Sequence, residues 1–420
     1  MTYFFATSPA ATEMMQGGWD MPGWFRRLRQ HRPDIMARNV DLLFTLPLLG
    51  GTAGDLNFVE QKHGEENCRT KSIHMQELLF TGPRKVEVAT KECFNHIGDD
   101  QVEVEAIMSL ISSGTELTVF TGAFDVDAAL DVNIGEMASQ SMSYPLAYGY
   151  CMVGRVVRIG KEVTTPLLGK RVFCFAPHAT RAVVDASSVQ LLPQNVDTRD
   201  AIFLPSVETA LSLVHEAGVR AGEAVAVFGQ GLIGLLVTAV LAMTLGGGEE
   251  GSGYGAEGHV PVTAFDMLDE RLMVSGALGA SQAVRPSVDT KLFDIAIEVS
   301  GSPRGLQSAI DRTVEGGRIV VGSWYGKKEV ALKLGIDFHR SHKTLVASQV
   351  SQIPAALAGT WDKKRRFAFA WEIVQRMRPS RYLLTKVVGL TSKEAQEAYL
   401  SLERGEEIAV AFDYGLENRQ

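Results

Sequence analysis

Two patterns of apolar and polar residues divide the chain. From about residue 74 to residue 199, short apolar runs such as ELLF, KVEV and RVFCF are separated by Gly, Pro and charged turns. This alternation predicts a compact, β-rich, barrel-like domain. From about residue 200, apolar strands such as VAVF, VTAF and FDIAIE alternate with helical stretches. That order predicts a doubly wound parallel sheet, so we expect an α/β protein with two different domains.

The two ends of the chain have patterns of their own. Residues 1–73 are predicted to be an N-terminal extension, with a basic, aromatic-rich segment WDMPGWFRRLRQHRP. That segment is interpreted as a helix on the main body or as a docking segment for a membrane surface or partner. Residues 351–420 carry the helical KKRRFAFAWEIVQRM and the strand-like KVVGL and IAVAFDY. We predict domains at 74–199 and 200–350, with 351–420 returning to the first.

Composition excludes several classes of protein. A length of 420 residues suggests two domains, and a net charge of −8 gives no electrostatic reason to bind nucleic acid. No apolar run reaches the roughly 18–20 residues that span a bilayer. The four cysteines are unclustered, which is typical of neither a disulfide framework nor a zinc ribbon. Without an evident secretory signal, we expect a cytoplasmic or organellar (for example plastid) protein that acts on a small molecule.

The run VAVFGQGLIG is the most informative motif. Gly229 permits a tight turn, Gly231 lets backbone N–H groups approach a pyrophosphate, and Gly234 lets helix and strand pack closely. The following helix would offer free N–H donors and the positive end of its dipole to phosphate. The spacing and both flanks predict a dinucleotide site; an ordinary glycine turn in another α/β sheet is the alternative.

Asp266 ends the next apolar strand, PVTAF. A carboxylate there accepts hydrogen bonds from both ribose hydroxyls and repels a 2′-phosphate, so it favours NAD over NADP. Asp266 lies further from the glycines than is usual, and residues 246–259, rich in Gly and Glu, are interpreted as the inserted surface loop. The alternative is an acidic turn residue.

Several segments, in order, resemble the medium-chain dehydrogenase/reductase superfamily over residues 74–415: ISSGTELTVFTG, YPLAYGYCMVGRVVRIG, GKRVF, VETALSLV and IEVSGSPRGL. Within it, SGTE, AYGY, FAPHATR and GSWYG resemble the bacteriochlorophyllide hydroxyethyl dehydrogenase branch and its zinc-type alcohol dehydrogenase-like relatives. The resemblance implies a GroES-like catalytic domain, a Rossmann domain, an NAD cofactor with NADP as the alternative, and a homodimer.

The resemblance also points to a lost metal site. Catalytic zinc in the superfamily needs Cys, His and a third Cys, Glu or Asp, because Zn²⁺ takes such ligands in a tetrahedron. Residues that do not make a zinc site stand at or near these positions: Ser113, Tyr150 and Pro205. We therefore expect no zinc. The alternative is an improvised site made by Glu116, Cys151 and Cys174.

Three residues are candidates for proton transfer. By resemblance, Thr115 is the hydroxyl that relays the substrate proton, with a turn-capping hydroxyl as the alternative. Tyr150 could donate to a carbonyl oxygen or simply pack in its strand. His178 follows the strand RVFCFA and is expected at the mouth of the cleft as the acid–base end of the relay. Its alternative is a surface histidine.

Further residues are expected at the cofactor. Thr209 aligns with a nicotinamide-contacting threonine of the superfamily. Strand ends in a doubly wound sheet bind the ligand, which adds four residues: Ser300, Gly301, Gly322 and Ser323. Trp324 and Tyr325 are expected either to wall the substrate pocket or to form a core pair.

These residues together predict a zinc-independent NAD(P)-dependent oxidoreductase. It would move hydride between nicotinamide and a secondary alcohol or ketone, and the resemblance suggests a tetrapyrrole-like hydroxyethyl substrate. One alternative is an NADPH-dependent enoyl or quinone C=C reductase, against which Asp266 argues. The other is a non-catalytic dinucleotide-binding sensor or scaffold.

Overall fold

The computed structural model describes residues 74–124, 143–245, 262–286 and 291–415. The expected N-terminal extension and the expected loop at 246–259 lie outside these residues. The strands within them are β1 (His74–Gly82), β2 (Lys85–Glu92), β3 (Gln101–Leu110), β4 (Met152–Ile159), β5 (Arg171–Cys174), β6 (Arg181–Asp185), β7 (Gln190–Leu191), β8 (Val225–Phe228), β9 (Val262–Phe265), β10 (Gln282–Val284), β11 (Phe293–Glu298), β12 (Thr313–Val321), β13 (Thr344–Ala347), β14 (Leu384–Gly389) and β15 (Ala409–Asp413).

The helices within the same residues are α1 (Ser113–Thr121), α2 (Thr198–Ala201), α3 (Leu204–Ala217), α4 (Leu232–Thr244), α5 (Asp269–Ala277), α6 (Pro303–Asp311), α7 (Lys363–Met377), α8 (Ser380–Leu383) and α9 (Ser392–Glu403). A π-helical turn at Leu334–Phe338 and a 3-10 turn at Ala355–Leu357 follow β12 and β13. None of the helices in the described ranges has the length and apolar character that a membrane crossing requires.

The β-rich part is built around β3. A sheet of order β14-β15-β3-β4-β5-β7 contains it, and β6 also pairs with β3, while β1 and β2 form a separate antiparallel pair. The last strand, β15, runs antiparallel to β3 and places Ala411 opposite Leu110. Residues about 300 apart in sequence therefore share one sheet.

The second part is a fully parallel sheet of order β10-β9-β8-β11-β12-β13. All four residues of β8 are buried, as expected for a parallel strand with helices over both faces. The predicted doubly wound parallel sheet is confirmed, although no sequence signal predicted the three-residue β10. The strand order reverses between β8 and β11, and such a switch point is where these sheets bind ligands. The domain boundaries at 74–199, 200–350 and 351–420 stay a prediction.

The turn after β8 requires two of its glycines for the fold itself. Gly229 has φ +95°, and a Cβ on it would lie 2.6 Å from the Cα of Ser300. A Cβ on Gly234 would lie 1.8 Å from the carbonyl oxygen of Gly229. Contacts this short are not tolerated, so these glycines let α4 and β11 approach the turn.

One hydrophobic core runs through both parts. Apolar side chains of α3 and α4 pack in one cluster with Cys151 and Phe173 from the β-rich part. Helix α7 joins through a fully buried ion pair, in which Arg366 donates from Nε and Nη2 to Glu208 Oε1 at 3.0 and 2.8 Å. Arg366 also donates to the carbonyl of Gln352 at 2.8 Å. These hydrogen bonds offset the cost of burying both charges and fix α7 against α3.

Candidate functional site

The third glycine of the turn, Gly231, leaves an open space. Its backbone is extended (φ −73°, ψ −169°), which any residue adopts. Among the described residues, the only heavy atom within 4 Å of a Cβ built there is Nη1 of Arg271, at 3.9 Å. The first turn of α4 has no side-chain cap and no acidic residue. The packing of the fold does not require a glycine here. A pyrophosphate bound to the free N–H groups of the first turn would require one, because a side chain would occupy its space.

Asp266 lies beside this turn, just after β9. Its Oδ2 accepts from the N–H of Gln230 at 2.6 Å, and its Oδ1 from the N–H of Leu268 at 2.9 Å. Each carboxylate oxygen can accept a further bond, so the predicted ribose contact is compatible with this geometry. Arg271, which sequence analysis missed, is close by: its Nε is buried without a hydrogen-bond partner among the described residues. Its Nη1 lies at the edge of the open space at Gly231, so the guanidinium group is placed to meet a polar ligand there.

The predicted strand-end residues adjoin the same turn through Glu298, a fully buried carboxylate that sequence analysis missed. Glu298 Oε1 accepts from the N–H and hydroxyl of Ser300 at 2.7 and 2.6 Å, and its Oε2 accepts from Tyr325 at 2.9 Å. The N–H of Gly301 donates to Ser323 Oγ at 2.8 Å. These bonds hold the carboxyl ends of β11 and β12 in one fixed arrangement.

The remaining predicted cofactor residues have mainly packing contacts. A Cβ on Gly322 would lie 2.6 Å from Cδ2 of Leu213, so this glycine lets β12 approach α3. Thr209 donates its hydroxyl to the carbonyl of Pro205 within α3, at 2.9 Å. Trp324 is 48% exposed, which excludes the core aromatic pair. Its indole is free to line a pocket.

Three hydroxyl groups form a cluster at the start of α1: Ser112, Thr115 and Tyr150. The Tyr150 hydroxyl lies 2.5 Å from Ser112 Oγ and donates to Thr115 Oγ1 at 3.1 Å. Ser112, which the sequence analysis did not single out, is the N-cap residue of α1, yet its side chain makes no cap hydrogen bond. Serine at this position usually caps the helix. Here the hydroxyl bonds to Tyr150 instead.

Burial raises the pKa of Tyr150, and the neighbouring Cys151 and Glu116 raise it further. A tyrosine ordinarily ionises near pH 10. Tyr150 therefore keeps its proton throughout the neutral range and serves as a donor rather than a base.

A fully buried carboxylate, Glu116, supports this hydroxyl cluster. Its Oε1 accepts from the backbone N–H of Ser112 at 2.8 Å. Its Oε2 accepts from the Tyr399 hydroxyl at 2.5 Å and lies 3.0 Å from Nε2 of His178. Burial and the adjacent carboxylate raise the pKa of Tyr399, which keeps it a donor. The carboxylate fixes the backbone of Ser112, and through it the hydroxyl that meets Tyr150.

The expected position of His178 at the mouth of the cleft is wrong. The side chain is fully buried, with Nδ1 2.7 Å from Ser109 Oγ and its ring against Phe412 at 5.0 Å. A Cβ on Gly149 would lie 2.9 Å from the imidazole, so backbone also covers it. Sequence placed His178 just past a strand but could not show that other segments cover it. Its acid–base role stays a prediction, and its contacts favour a positioning role.

Two of the three residues at the expected zinc-ligand positions are engaged elsewhere or lack a donor atom, and the third, Ser113, is the first residue of α1. Tyr150 belongs to the hydroxyl cluster, and Pro205 lies in the first turn of α3. Of the alternative ligands, Glu116 already has three hydrogen-bonding partners, and burial raises the pKa of the Cys151 thiol. Within the described ranges, no three His, Cys, Asp or Glu side chains are grouped to hold a metal ion. Zinc independence stays a prediction.

The chain is similar to known dehydrogenases in sequence and in fold. A D-guloside 3-dehydrogenase from Escherichia coli K12 is 24% identical over 322 residues, covering 71% of this chain and 88% of that protein. A structure described as a short chain alcohol dehydrogenase from E. coli CFT073, with NADH, has a TM-score of 0.62 at 16% identity, covering 81% of this chain and 99% of its own. A candidate zinc-binding dehydrogenase from Sinorhizobium meliloti 1021, bound to NADP, gives 0.61 at 17% identity with the same coverage. No protein-family model matches the chain.

Two predictions are confirmed by these comparisons. The solved dehydrogenases match about four-fifths of the chain, which shows the predicted two-domain α/β fold. The guloside dehydrogenase is a relative in sequence, in agreement with the prediction that this chain is an enzyme of the dehydrogenase type. The predicted bacteriochlorophyllide-like branch stays a prediction.

The buried carboxylate generates a stability prediction. Tyr399→Phe keeps the ring contacts with Phe80 and Phe120, both at 5.2 Å, and removes one donor from Glu116. Hydrogen bonds to charged groups contribute about 1.5–3 kcal/mol, so we expect the free energy of unfolding to fall by about that amount. Urea denaturation measures it.

Tyr144→Phe is the matched control, because the Tyr144 hydroxyl donates to a neutral acceptor, the carbonyl of Val119, at 2.5 Å. We expect a smaller loss there, about 0.5–1.5 kcal/mol. An equal or smaller loss for Tyr399→Phe than for Tyr144→Phe would contradict the role given to Glu116.

Proposed function

We propose that this protein is a zinc-independent NAD(P)-dependent oxidoreductase that interconverts a secondary alcohol and a ketone. The observation that carries the proposal is the hydroxyl cluster of Ser112, Thr115 and Tyr150. It lies at the start of α1, and α1 contacts α4, the helix that opens at the glycine turn. The proposed proton-transferring hydroxyls and the proposed dinucleotide site would thus belong to helices that contact each other.

The glycine turn and its surroundings fit a dinucleotide. The open space at Gly231 and the uncapped N-terminus of α4 would hold the pyrophosphate, and Asp266 would hold the adenosine ribose. When bound, the nicotinamide supplies the hydride acceptor or donor. Arg271 would place a positive charge beside the phosphates. The carboxylate of Asp266 disfavours a 2′-phosphate, which is why we propose NAD.

The hydroxyl cluster would handle the proton. Thr115 Oγ1 accepts from Tyr150, so its own hydrogen is free to point at a substrate oxygen. In ketone reduction, Thr115 would donate this proton as the carbonyl oxygen gains charge. Tyr150 would then return a proton to Thr115 and Ser112 one to Tyr150, and a proton from solvent water would restore Ser112, so that one solvent proton is consumed for each hydride. In alcohol oxidation the same shift runs in reverse. Three preorganised hydroxyls would thereby stabilise the developing alkoxide.

Two carboxylates would keep these parts in position. Glu116 holds the backbone of Ser112, and His178 and Tyr399 hold Glu116. Glu298 holds Ser300 and Tyr325 at the strand ends near the glycine turn. Neither carboxylate is exposed, so each would act through the groups it fixes and not on the substrate.

Two classes of secondary alcohol are candidate substrates. The sequence resemblance suggests a hydroxyethyl group on a tetrapyrrole-like ring, and the guloside dehydrogenase relative suggests a sugar-ring hydroxyl. The half-exposed indole of Trp324 would stack on a flat ring, which supports the first class. Initial rates of NADH formation with both classes would separate them. The homodimer and the cytoplasmic or organellar location stay predictions.

The cofactor assignment is tested at Gly231. Gly231→Val places a Cβ in the space kept for the pyrophosphate, where the nearest atom is Arg271 Nη1 at 3.9 Å, so we expect an unchanged melting temperature and NADH binding weakened by more than about tenfold. Fluorescence titration measures the binding. Gly276→Ala is the matched control, because a Cβ there has no described heavy atom within 4 Å. Unchanged NADH binding in Gly231→Val, or tighter NADPH than NADH binding in the native protein, would overturn the assignment.

The relay is tested by removing single hydroxyls. Thr115→Val and Tyr150→Phe should each lower kcat by about 10²–10⁴, the usual contribution of a proton-transfer group, with NADH affinity unchanged. Thr121→Val, in the same helix, is the control, because its hydroxyl bonds backbone carbonyls of its own helix, those of Leu117 at 2.7 Å and Thr118 at 3.4 Å. We expect native turnover from it. Native turnover in both Thr115→Val and Tyr150→Phe would place the relay elsewhere.

A further inference from the structure

A cavity of about 490 Å³ lies away from the glycine turn and the hydroxyl cluster. Its walls are the start of β5, residues 194–200, the end of α7 and α8. Arg171 opens β5 opposite Arg155, whereas Cys174 ends it opposite Met152, close to Tyr150. The cavity thus lies at the start of β5, about 10 Å along the strand from Cys174 and the hydroxyl cluster.

Four arginines line this cavity: Arg171, Arg199, Arg378 and Arg381. Among the described residues, none of them has a carboxylate within ion-pair distance, whereas Arg181 and Arg318 each pair with glutamate. The one side-chain bond recorded for the four runs from Arg171 Nη1 to Thr198 Oγ1, at 3.3 Å. Most of their donors are therefore available to a ligand.

The two acidic residues in the lining are already engaged. Asp197 caps α2 by accepting from the N–H of Arg199 at 2.8 Å. Asp200 is buried and accepts from the N–H of Ser380 at 2.9 Å, and burial raises the pKa of its carboxyl. Neither is within ion-pair distance of a guanidinium group in the described part of the chain, although the charge of Arg381 lowers the pKa of the Asp200 carboxyl against the effect of burial. Four arginines thus face two carboxylates. The result is a concentration of positive charge on a chain whose net charge is −8.

The positive charge extends beyond the cavity. A second depression of about 250 Å³ shares Arg171 and Gln194 with it and adds Arg155 and Lys170. At the rim, Arg378 ends α7 with φ +48° and ψ +66°, a left-handed conformation that glycine or asparagine usually takes. Residues other than glycine in this strained conformation are concentrated at ligand sites and active sites.

We propose that this arginine-lined cavity binds a compact small molecule that carries two or more phosphate groups. Guanidinium groups form paired, charge-assisted hydrogen bonds to phosphate oxygens. Four guanidinium groups supply more donors and more positive charge than a ligand with one carboxylate can satisfy. The volume is in the range of small-molecule sites. The site is independent of the dinucleotide turn and of the proposed reaction.

Calorimetric titration with inorganic pyrophosphate tests the proposal. Saturating NADH is present throughout, so that the glycine turn is filled. The native protein should bind one pyrophosphate per chain, and the Arg378→Ala/Arg381→Ala double variant should bind it at least about tenfold more weakly, since each lost charged bond is worth a factor of about ten or more. Arg376→Ala is the control: it removes an exposed charge from the same helix end but does not line the cavity.

The controls decide the outcome. Native affinity in Arg376→Ala and in Gly231→Val, with unchanged melting temperatures, supports a site at the cavity. Equal weakening in Arg376→Ala, or no saturable binding in the native protein, overturns it. Tighter binding of citrate than of pyrophosphate overturns the phosphate assignment. If the double variant does not fold, the single Arg199→Gln variant must show the weakened binding, and native affinity in it overturns the proposal.

Discussion

The buried carboxylate of Glu116 is the interaction on which the candidate site depends. Moving a carboxylate out of water costs several kcal/mol, and the cost is met only if donors surround it. Here the donors come from three segments far apart in sequence: Ser112 at the start of α1, His178 after β5, and Tyr399 in α9. Their convergence fixes the start of α1 against the end of the chain.

The hydroxyl cluster follows from this arrangement. Glu116 accepts the N–H of Ser112 and so holds this N-cap residue in place, and the Ser112 hydroxyl bonds Tyr150 and makes no cap bond to the helix backbone. Tyr150 in turn reaches Thr115, one turn into α1. His178 extends the same network inward, through Ser109, to the hydroxyl of Tyr414 after β15. The serine that would ordinarily cap α1 thus becomes part of a buried, preorganised set of hydroxyl groups.

Local signals in the sequence were sufficient for the parallel sheet and its glycine turn. The spacing of Gly229, Gly231 and Gly234 and the alternation of strands and helices depend on neighbouring residues, so they predicted the turn and the parallel sheet. The structure adds that Gly229 and Gly234 serve packing while Gly231 keeps space open. Short β10 escaped prediction because three residues carry no periodicity.

Long-range contacts explain what sequence analysis missed. Tyr399 meets Glu116 across 283 residues of sequence, and no local pattern announces such a pair. Arg271 and Glu298 lie near the glycine turn after β8 but belong to other elements, α5 and β11. Burial of His178 depends on Gly149 and Phe412, neither of which is adjacent to it in sequence, so an expectation based on its strand alone placed it wrongly.

The most direct test of this account is the metal content of the active protein. Elemental analysis should be combined with NADH formation from a secondary alcohol before and after treatment with a chelator. If preorganised hydroxyls replace a metal ion, the protein will contain far less than one zinc per chain and its turnover will survive chelation. One zinc per chain, lost together with activity and restored by adding zinc, would contradict the account.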